Sequence, residues 1–128
     1  YLEKGQDAVL ITYGNLLNNA KIIKKNLANT LDLAIVNARY QKPIDTNLYD
    51  EILTTYQSIF IYEEQTLINS LGFYLTTYAK TKNYQGNIKI FAIPDEFIEQ
   101  GKKNEILSLL ELDPTSITNK IIQSVKHK

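Results

Sequence analysis

The stretch Val36-Asn37-Ala38-Arg39-Tyr40-Gln41-Lys42-Pro43-Ile44-Asp45 decides the fold that we predict for this chain. It continues the apolar run Leu33 to Val36, which is typical of a strand buried on both faces. Pro43 favours an extended backbone before it, and Asp45 can accept a backbone N–H as a helix N-cap. The stretch therefore predicts a strand, a loop at the strand's carboxyl end and a helix start. In open α/β sheets, ligands bind at that edge.

Arg39 is the single arginine among the fourteen Lys and Arg residues of the chain. A guanidinium offers a planar, bidentate fork that lysine lacks. We therefore expect Arg39 to be held near the strand ends by carbonyls or by a carboxylate, either that of Asp45 or one of the pair Glu63-Glu64. The alternative is that the stretch is a well-formed βα turn without any further function.

Length and composition bound the possible functions. A chain of 128 residues is long enough for one domain with a substantial core, and its net charge of zero argues against a nucleic-acid or anionic-membrane surface. The absence of cysteine excludes disulfides, thiolate metal sites and a cysteine nucleophile, and the only histidine, His127, lies in a lysine-rich tail. No run is long enough to span a bilayer, and no signal-peptide pattern is present. We expect residues 1–128 to be a single domain, the C-terminal fragment of a longer cytoplasmic protein.

Apolar runs alternate with helical stripes along the whole chain. Strands are predicted at Ala8 to Tyr13, Leu33 to Val36, Ile59 to Tyr62 and Ile88 to Ile93. The apolar stripes of helices are Leu16, Ala20, Ile23 and Leu27; Leu48, Ile52 and Tyr56; Leu71, Leu75 and Tyr78; Ile106, Leu107 and Leu110; and Ile117, Ile121 and Val125. Asp113 followed by Pro114 is typical of a capped helix start. The alternation predicts a parallel sheet with helices on both faces.

Right-handed crossovers give that sheet the order second, first, third, fourth strand. The order predicts a crevice at the carboxyl ends of the first and third strands, near Gly14, Asn15 and Glu63. Gly14 after a strand is only a weak sign of a phosphate cradle, because neither G-x-G-x-x-G nor G-K-[ST] is present. A plain βα turn explains it more simply.

Carboxylate pairs and tyrosines are the other candidates for chemistry. Adjacent residues of a strand point to opposite faces, so we expect one carboxylate of Glu63-Glu64 to be buried and hydrogen-bonded and the other solvated. Asp95-Glu96 lacks the further spaced ligands of a divalent-cation site. We expect most of the nine tyrosines to pack in the core with their hydroxyls in water.

Several segments in order resemble the C-terminal domain of the 1-deoxy-D-xylulose-5-phosphate synthases, a family within the transketolase superfamily. The segments are Val9 to Gly14, Val36 to Asp45, Ile61 to Glu64, Ile93 to Gly101 and Leu110 to Asp113. The Asn-Ala-Arg-aromatic run with Lys-Pro-Ile-Asp, and the run Ile-Pro-Asp-x-Phe-Ile-Glu, favour these synthases. They argue against the alternative, the C-terminal partner-docking domain of a 2-oxo acid dehydrogenase β subunit, which usually carries Asp-Leu-Arg before the shared motif.

The resemblance implies a three-layer α/β/α fold with a mixed, mostly parallel five-stranded sheet, whose antiparallel first strand would be the remnant at Tyr1 to Lys4. It also implies a parent enzyme that condenses pyruvate and glyceraldehyde 3-phosphate, using thiamine diphosphate and magnesium, for isoprenoid, thiamine and pyridoxal biosynthesis. Such a parent is expected to be a homodimer. Within it, this domain would contact the remaining domains of the same enzyme, and neither nucleic acid nor membrane.

In that superfamily the cofactor lies between the first two domains, and their Gly-Asp-Gly-type metal motif and activating glutamate are absent here. The resemblance therefore implies no catalytic, cofactor-binding or metal residue in this fragment. Arg39, Asp45, Glu63 and Asp95 match motif positions and are assigned structural or interface roles. The chain departs from the family at Leu71-Gly72-Phe73-Tyr74, where Gly-Gly-Phe-Gly is typical, and at Gln100, where histidine is common.

Overall fold

The computed structural model describes residues 3–38, 46–64, 71–93 and 112–126. The strands are β1 (Ala8–Thr12), β2 (Leu33–Asn37), β3 (Ser58–Glu64) and β4 (Asn87–Ile93). The helices are a 3₁₀ turn (Gly14–Leu16), α1 (Leu17–Leu27), α2 (Thr46–Thr55), α3 (Leu71–Thr81) and α4 (Pro114–Lys126). These elements confirm the predicted alternation. The short helix predicted around Ile106, Leu107 and Leu110 lies outside the described residues.

The four strands form one parallel sheet in the order β2-β1-β3-β4, which confirms the predicted order. The antiparallel fifth strand is not seen in the described part of the chain. In its place, Glu3 forms a single antiparallel bridge with Ile35, in which each amide donates to the other residue's carbonyl, at 3.1 and 2.8 Å. One bridge holds the start of the chain against β2 but does not extend the sheet.

Successive side chains of each strand point to opposite faces of the sheet, and apolar ones point to both. The sheet therefore has a core on each of its faces. The first core lies against α1 and α4 and contains Ala8, Leu10, Leu16, Ala20, Ile23, Leu27, Leu33, Ile35, Phe60, Tyr62, Phe91, Leu112, Ile117 and Ile121. The second lies against α2 and α3 and contains Val9, Ile11, Ala34, Val36, Tyr49, Ile52, Tyr56, Ile59, Ile61 and Leu75. Helices on both faces of one sheet make the predicted α/β/α architecture.

The predicted stripe of α1 is buried along its whole length, with Ala20, Ile23 and Leu27 fully excluded from solvent. Burying an isoleucine or leucine side chain stabilises the folded state by about 1.5–3 kcal/mol. Packing of this apolar face, more than helix propensity, therefore holds α1 against the sheet. Among the described residues, no helix has the length and apolar character needed to cross a membrane.

The start of α4 follows the prediction made from Asp113-Pro114. The Asp113 carboxylate accepts hydrogen bonds from the Ser116 amide at 3.3 Å and the Ser116 hydroxyl at 2.6 Å. Burial alone would raise the pKa of Asp113, but these bonds, with those of neighbouring amides, outweigh it and lower that pKa below its ordinary value. The corresponding cap predicted for Asp45 lies outside the described residues.

Candidate functional site

The carboxyl edge of the sheet is where the sequence predicts function, and β1 and β3 are neighbours there. Gly14 and Asn15 form the 3₁₀ turn that follows β1, and Glu63 lies in the last part of β3. The fold thus brings the two halves of the predicted crevice to adjacent strand ends. The predicted positions Arg39, Asp45 and Asp95 lie outside the described residues, so the expected partner of Arg39 stays a prediction.

Gly14 has a left-handed backbone with φ of 63°, which non-glycine residues rarely adopt. A Cβ built at this position would have no heavy atom within 4 Å. Glycine is therefore required here for the direction of the turn and not for close approach of the backbone to another group. No side chain caps the helix start that follows.

Glu63 is the buried, hydrogen-bonded carboxylate that the sequence reading expects. Its side chain is 1% exposed, and Oε2 accepts the Gly72 amide at 2.8 Å. An anion at the first turn of α3 is favoured by the helix dipole and by the amides that have no partner within the helix. Glu63 therefore fastens the start of α3 to β3.

The lack of a Cβ at Gly72 lets α3 approach β3 and β4 this closely. A Cβ at Gly72 would lie 2.6 Å from Glu63 Oε2 and 2.6 Å from Ile90 Cδ1. The family pattern has further glycines where this chain has Leu71 and Tyr74, yet the glycine that lets the helix approach the strand is present. The departure from the pattern therefore leaves this close packing intact.

Tyr62 joins three elements, which the sequence did not predict. Its side chain is fully buried, and its hydroxyl donates to the Leu112 carbonyl at 2.7 Å while accepting from Asn19 Nδ2 at 3.1 Å. The expectation that tyrosine hydroxyls lie in water is wrong for Tyr62. The one available signal was its position inside the apolar run of β3, because a hydroxyl buried there must find partners in the protein.

Two further hydrogen bonds join the carboxyl ends of neighbouring strands. The Thr12 hydroxyl donates to the Tyr62 carbonyl at 2.6 Å, and the Ala38 amide donates to the Thr12 carbonyl at 2.8 Å. Thr12 is fully buried, so these bonds form away from water. They fix the ends of β1, β2 and β3 relative to one another.

The polar contacts described at this edge hold the strand ends and the start of α3 together. The carboxylate, hydroxyl and amide groups described at this edge bond to one another, and the described residues contain no cluster of three or more His, Cys, Asp or Glu side chains. Magnesium bound to a diphosphate needs carboxylate oxygens directed at the ion. Glu63 instead directs its oxygen at a helix amide, so the described part of this edge does not fit that group.

A cavity of about 350 Å³, not predicted from the sequence, lies at the opposite, amino edge of the sheet. It is lined by Asp50, Leu53, Thr54, Gln57, Lys82, Asn83, Tyr84, Gln85 and Gly86. The Asp50 carboxylate accepts from the Tyr78 hydroxyl at 2.6 Å and lies 3.9 Å from Lys82 Nζ. Burial raises the pKa of Tyr84 to about 12, and its hydroxyl donates to the Tyr56 carbonyl at 2.6 Å. The two charged side chains that line the cavity, Asp50 and Lys82, thus partly neutralise each other's charge.

Comparison with known proteins gives a consistent result. The family model described as "Transketolase, C-terminal domain" matches residues 1–117. The chain is 31% identical over 120 residues to 1-deoxy-D-xylulose-5-phosphate synthase of Mannheimia succiniciproducens, covering 94% of this chain and 19% of the relative. It is 30% identical over 125 residues to the synthase of Thermotoga maritima, covering 98% and 20%.

A solved structure named "Split gene transketolase, inactive beta4 tetramer" has the same fold. It superposes with a TM-score of 0.75 at 19% identity and covers 95% of this chain and 41% of its own. The chain spans about a fifth of the length of the curated relatives it matches.

Proposed function

Since the chain belongs to the transketolase C-terminal domain family, we propose that it is the non-catalytic C-terminal domain of a thiamine-diphosphate-dependent 1-deoxy-D-xylulose-5-phosphate synthase. The observation that carries the proposal is an identity of about 30% to several such synthases over 94–98% of this chain. The parent would be a cytoplasmic homodimer that condenses pyruvate with glyceraldehyde 3-phosphate. The domain's role in it is to complete and stabilise the assembled enzyme.

The geometry of the carboxyl edge supports a bracing role. Thiamine diphosphate supplies the carbanion chemistry of such an enzyme, and the protein must bind its diphosphate through a metal and orient its reactive ring. The edge groups described here are engaged otherwise: Glu63 holds the start of α3, and Tyr62 ties β3 to α1 and to the residue before the α4 cap. These contacts join the elements at this edge and engage the described polar groups with one another.

Calorimetric titration of the purified 128-residue chain with thiamine diphosphate and MgCl₂ tests the non-catalytic assignment. We expect no saturable heat at micromolar cofactor, because the described residues offer no matched ligand set. Circular dichroism on the same sample is the control that the chain is folded. Specific, saturable binding would contradict the proposal.

Sequencing the gene upstream of Tyr1 separates the synthase from the dehydrogenase alternative. We expect the same polypeptide to carry a Gly-Asp-Gly-type metal motif before this domain. A dehydrogenase β subunit lacks that motif, so an upstream segment without it would contradict the synthase assignment while leaving the fold family unchanged.

A further inference from the structure

Strand β4 lies at one end of the sheet, and no further strand of the described residues pairs with its outer side. Open edges of this kind are usually covered, charged or paired in native proteins. The surface beside β4 is therefore a candidate interface, separate from the contacts described at the carboxyl edge.

Two large apolar side chains are exposed beside this edge. Phe73, in the first turn of α3, is 70% exposed and Ile90, in the middle of β4, is 40% exposed. Ile90 Cδ1 lies 2.6 Å from where a Cβ of Gly72 would be, and Phe73 follows Gly72 directly. We call Phe73, Ile90 and the outer side of β4 the edge patch.

Helical geometry places Phe73 on a different flank of α3 from the one that faces α2. Tyr78 lies on the flank of α3 that faces α2, where its hydroxyl donates to Asp50. At 100° per residue, Phe73 lies about 140° around the helix from Tyr78, and Lys80 lies on the same outer flank as Phe73. The edge patch thus lies on the side of α3 that α2 does not cover, and both of its large apolar side chains are partly exposed.

The charges at the border of the edge patch select the occupant. Lys80 and Lys89 are both exposed: Lys80 borders the patch on α3, and Lys89, whose Nζ lies 5.9 Å from the ring centroid of Phe91, borders it on the face of β4 opposite to Ile90. A second copy docking through the same patch would bring these lysines toward one another, and lysines on edge strands oppose such pairing. A partner with an apolar centre and a carboxylate border would complement the patch instead.

We propose that the edge patch docks a surface of the parent polypeptide lying outside these 128 residues, apolar at its centre and acidic at its border. The inference rests on the proposed function, under which about four-fifths of the parent's length lies outside this domain. It adds to that function the face through which the domain joins the parent. Exposed apolar groups are buried at interface centres, with charges at the rim.

The test measures binding of the purified chain to the separately expressed polypeptide that precedes it in the parent gene. The patch variant combines Phe73→Ser with Ile90→Thr. Its control is Ile22→Thr on α1, an isoleucine 48% exposed on the other face of the sheet. We expect the patch variant to weaken binding by about tenfold or more and the control to leave it unchanged. Circular dichroism of each variant verifies folding.

Charge reversal supplies a second, independent arm. Lys80→Glu should weaken binding more at low salt than at high salt, because the acidic border of the partner would repel the introduced glutamate and salt screens that repulsion. Lys21→Glu, an exposed lysine on α1, is the matched control and should have no effect.

The possible outcomes separate the two proposals. If the wild-type chain binds the upstream polypeptide and the patch variant binds equally well, the proposal that the edge patch is the docking surface is overturned, while the proposed function stands. If the wild-type chain does not bind it at all, the assembly role itself fails. A concentration-dependent dimer of the wild-type chain that the patch variant disperses, seen by sedimentation, would identify a second copy as the occupant and overturn the inference.

Discussion

Replacing Tyr62 by phenylalanine removes one oxygen atom from the centre of the domain and, among the described residues, two hydrogen bonds. The hydroxyl donates to Leu112 at 2.7 Å and accepts from Asn19 at 3.1 Å, and Tyr62 is fully buried, so water cannot take its place. Leaving a buried carbonyl unsatisfied costs about 1–3 kcal/mol. We therefore expect the free energy of unfolding to fall by about 2 kcal/mol. With an unfolding entropy of ~2.1 cal/mol/K per residue, the melting temperature should fall by roughly 7 °C.

Urea unfolding followed by circular dichroism at 222 nm measures this loss. The matched control is Tyr78→Phe, which removes a hydroxyl whose partner, the Asp50 carboxylate, is reached by solvent. Water can replace that bond, so the control should shift the urea midpoint much less than Tyr62→Phe. The slope of the transition should be the same in all three proteins, because the surface exposed on unfolding does not change.

A double-mutant cycle with Asn19→Ala isolates the shared contact. Because Asn19 and Tyr62 bond to each other, the loss in the double variant should be smaller than the sum of the two single losses. If Tyr62→Phe unfolds at the wild-type urea midpoint, the reasoning that this hydroxyl ties α1 and Leu112 to β3 is refuted.

Two further predictions concern other contacts. Gly72→Ala should cost about 1–3 kcal/mol in urea unfolding, since the new Cβ would meet Glu63 Oε2 and Ile90 at 2.6 Å; a wild-type midpoint would mean that the start of α3 shifts freely. Asp113→Ala should cost about 1 kcal/mol at pH 7 by removing the cap of α4. Because the folded pKa of Asp113 is lowered, its contribution is present above the unfolded pKa and is lost as pH falls through the folded pKa. The difference between wild type and variant should therefore shrink in acid unfolding below about pH 4, and a constant difference would contradict the assigned cap.

The sequence predicts the sheet well because its signals are local. The buried runs of β1 and β2 and the stripe ending at Leu27 follow from apolar periodicity, and Asp113-Pro114 defines a helix start by its own chemistry. Strand order then follows from the handedness of crossovers, a property of any L-polypeptide.

Contacts between distant residues are harder to predict. The bond between Tyr62 and Leu112 joins positions 50 residues apart, and although the apolar run of β3 indicates that the Tyr62 hydroxyl needs a partner, nothing local identifies which one. The same holds for the pairing of Glu63 with Gly72, where the sequence predicts a buried carboxylate but not its partner. The cavity lined by Asp50 and Lys82 forms only where α2 meets the segment between α3 and β4, far along the chain.

The return of α4 to α1 has a consequence for how the chain is made. Asn26 Nδ2 donates to Thr118 Oγ1 at 3.3 Å across 92 residues, and Ile117 and Ile121 complete the core to which β1 contributes. A ribosome adds roughly 5–20 residues per second, so several seconds pass between the emergence of β1 and that of the helix that completes this face. During that interval the apolar surface that α4 later covers is exposed to water outside the ribosome. Nascent chains of this domain should therefore engage chaperones until α4 is synthesised.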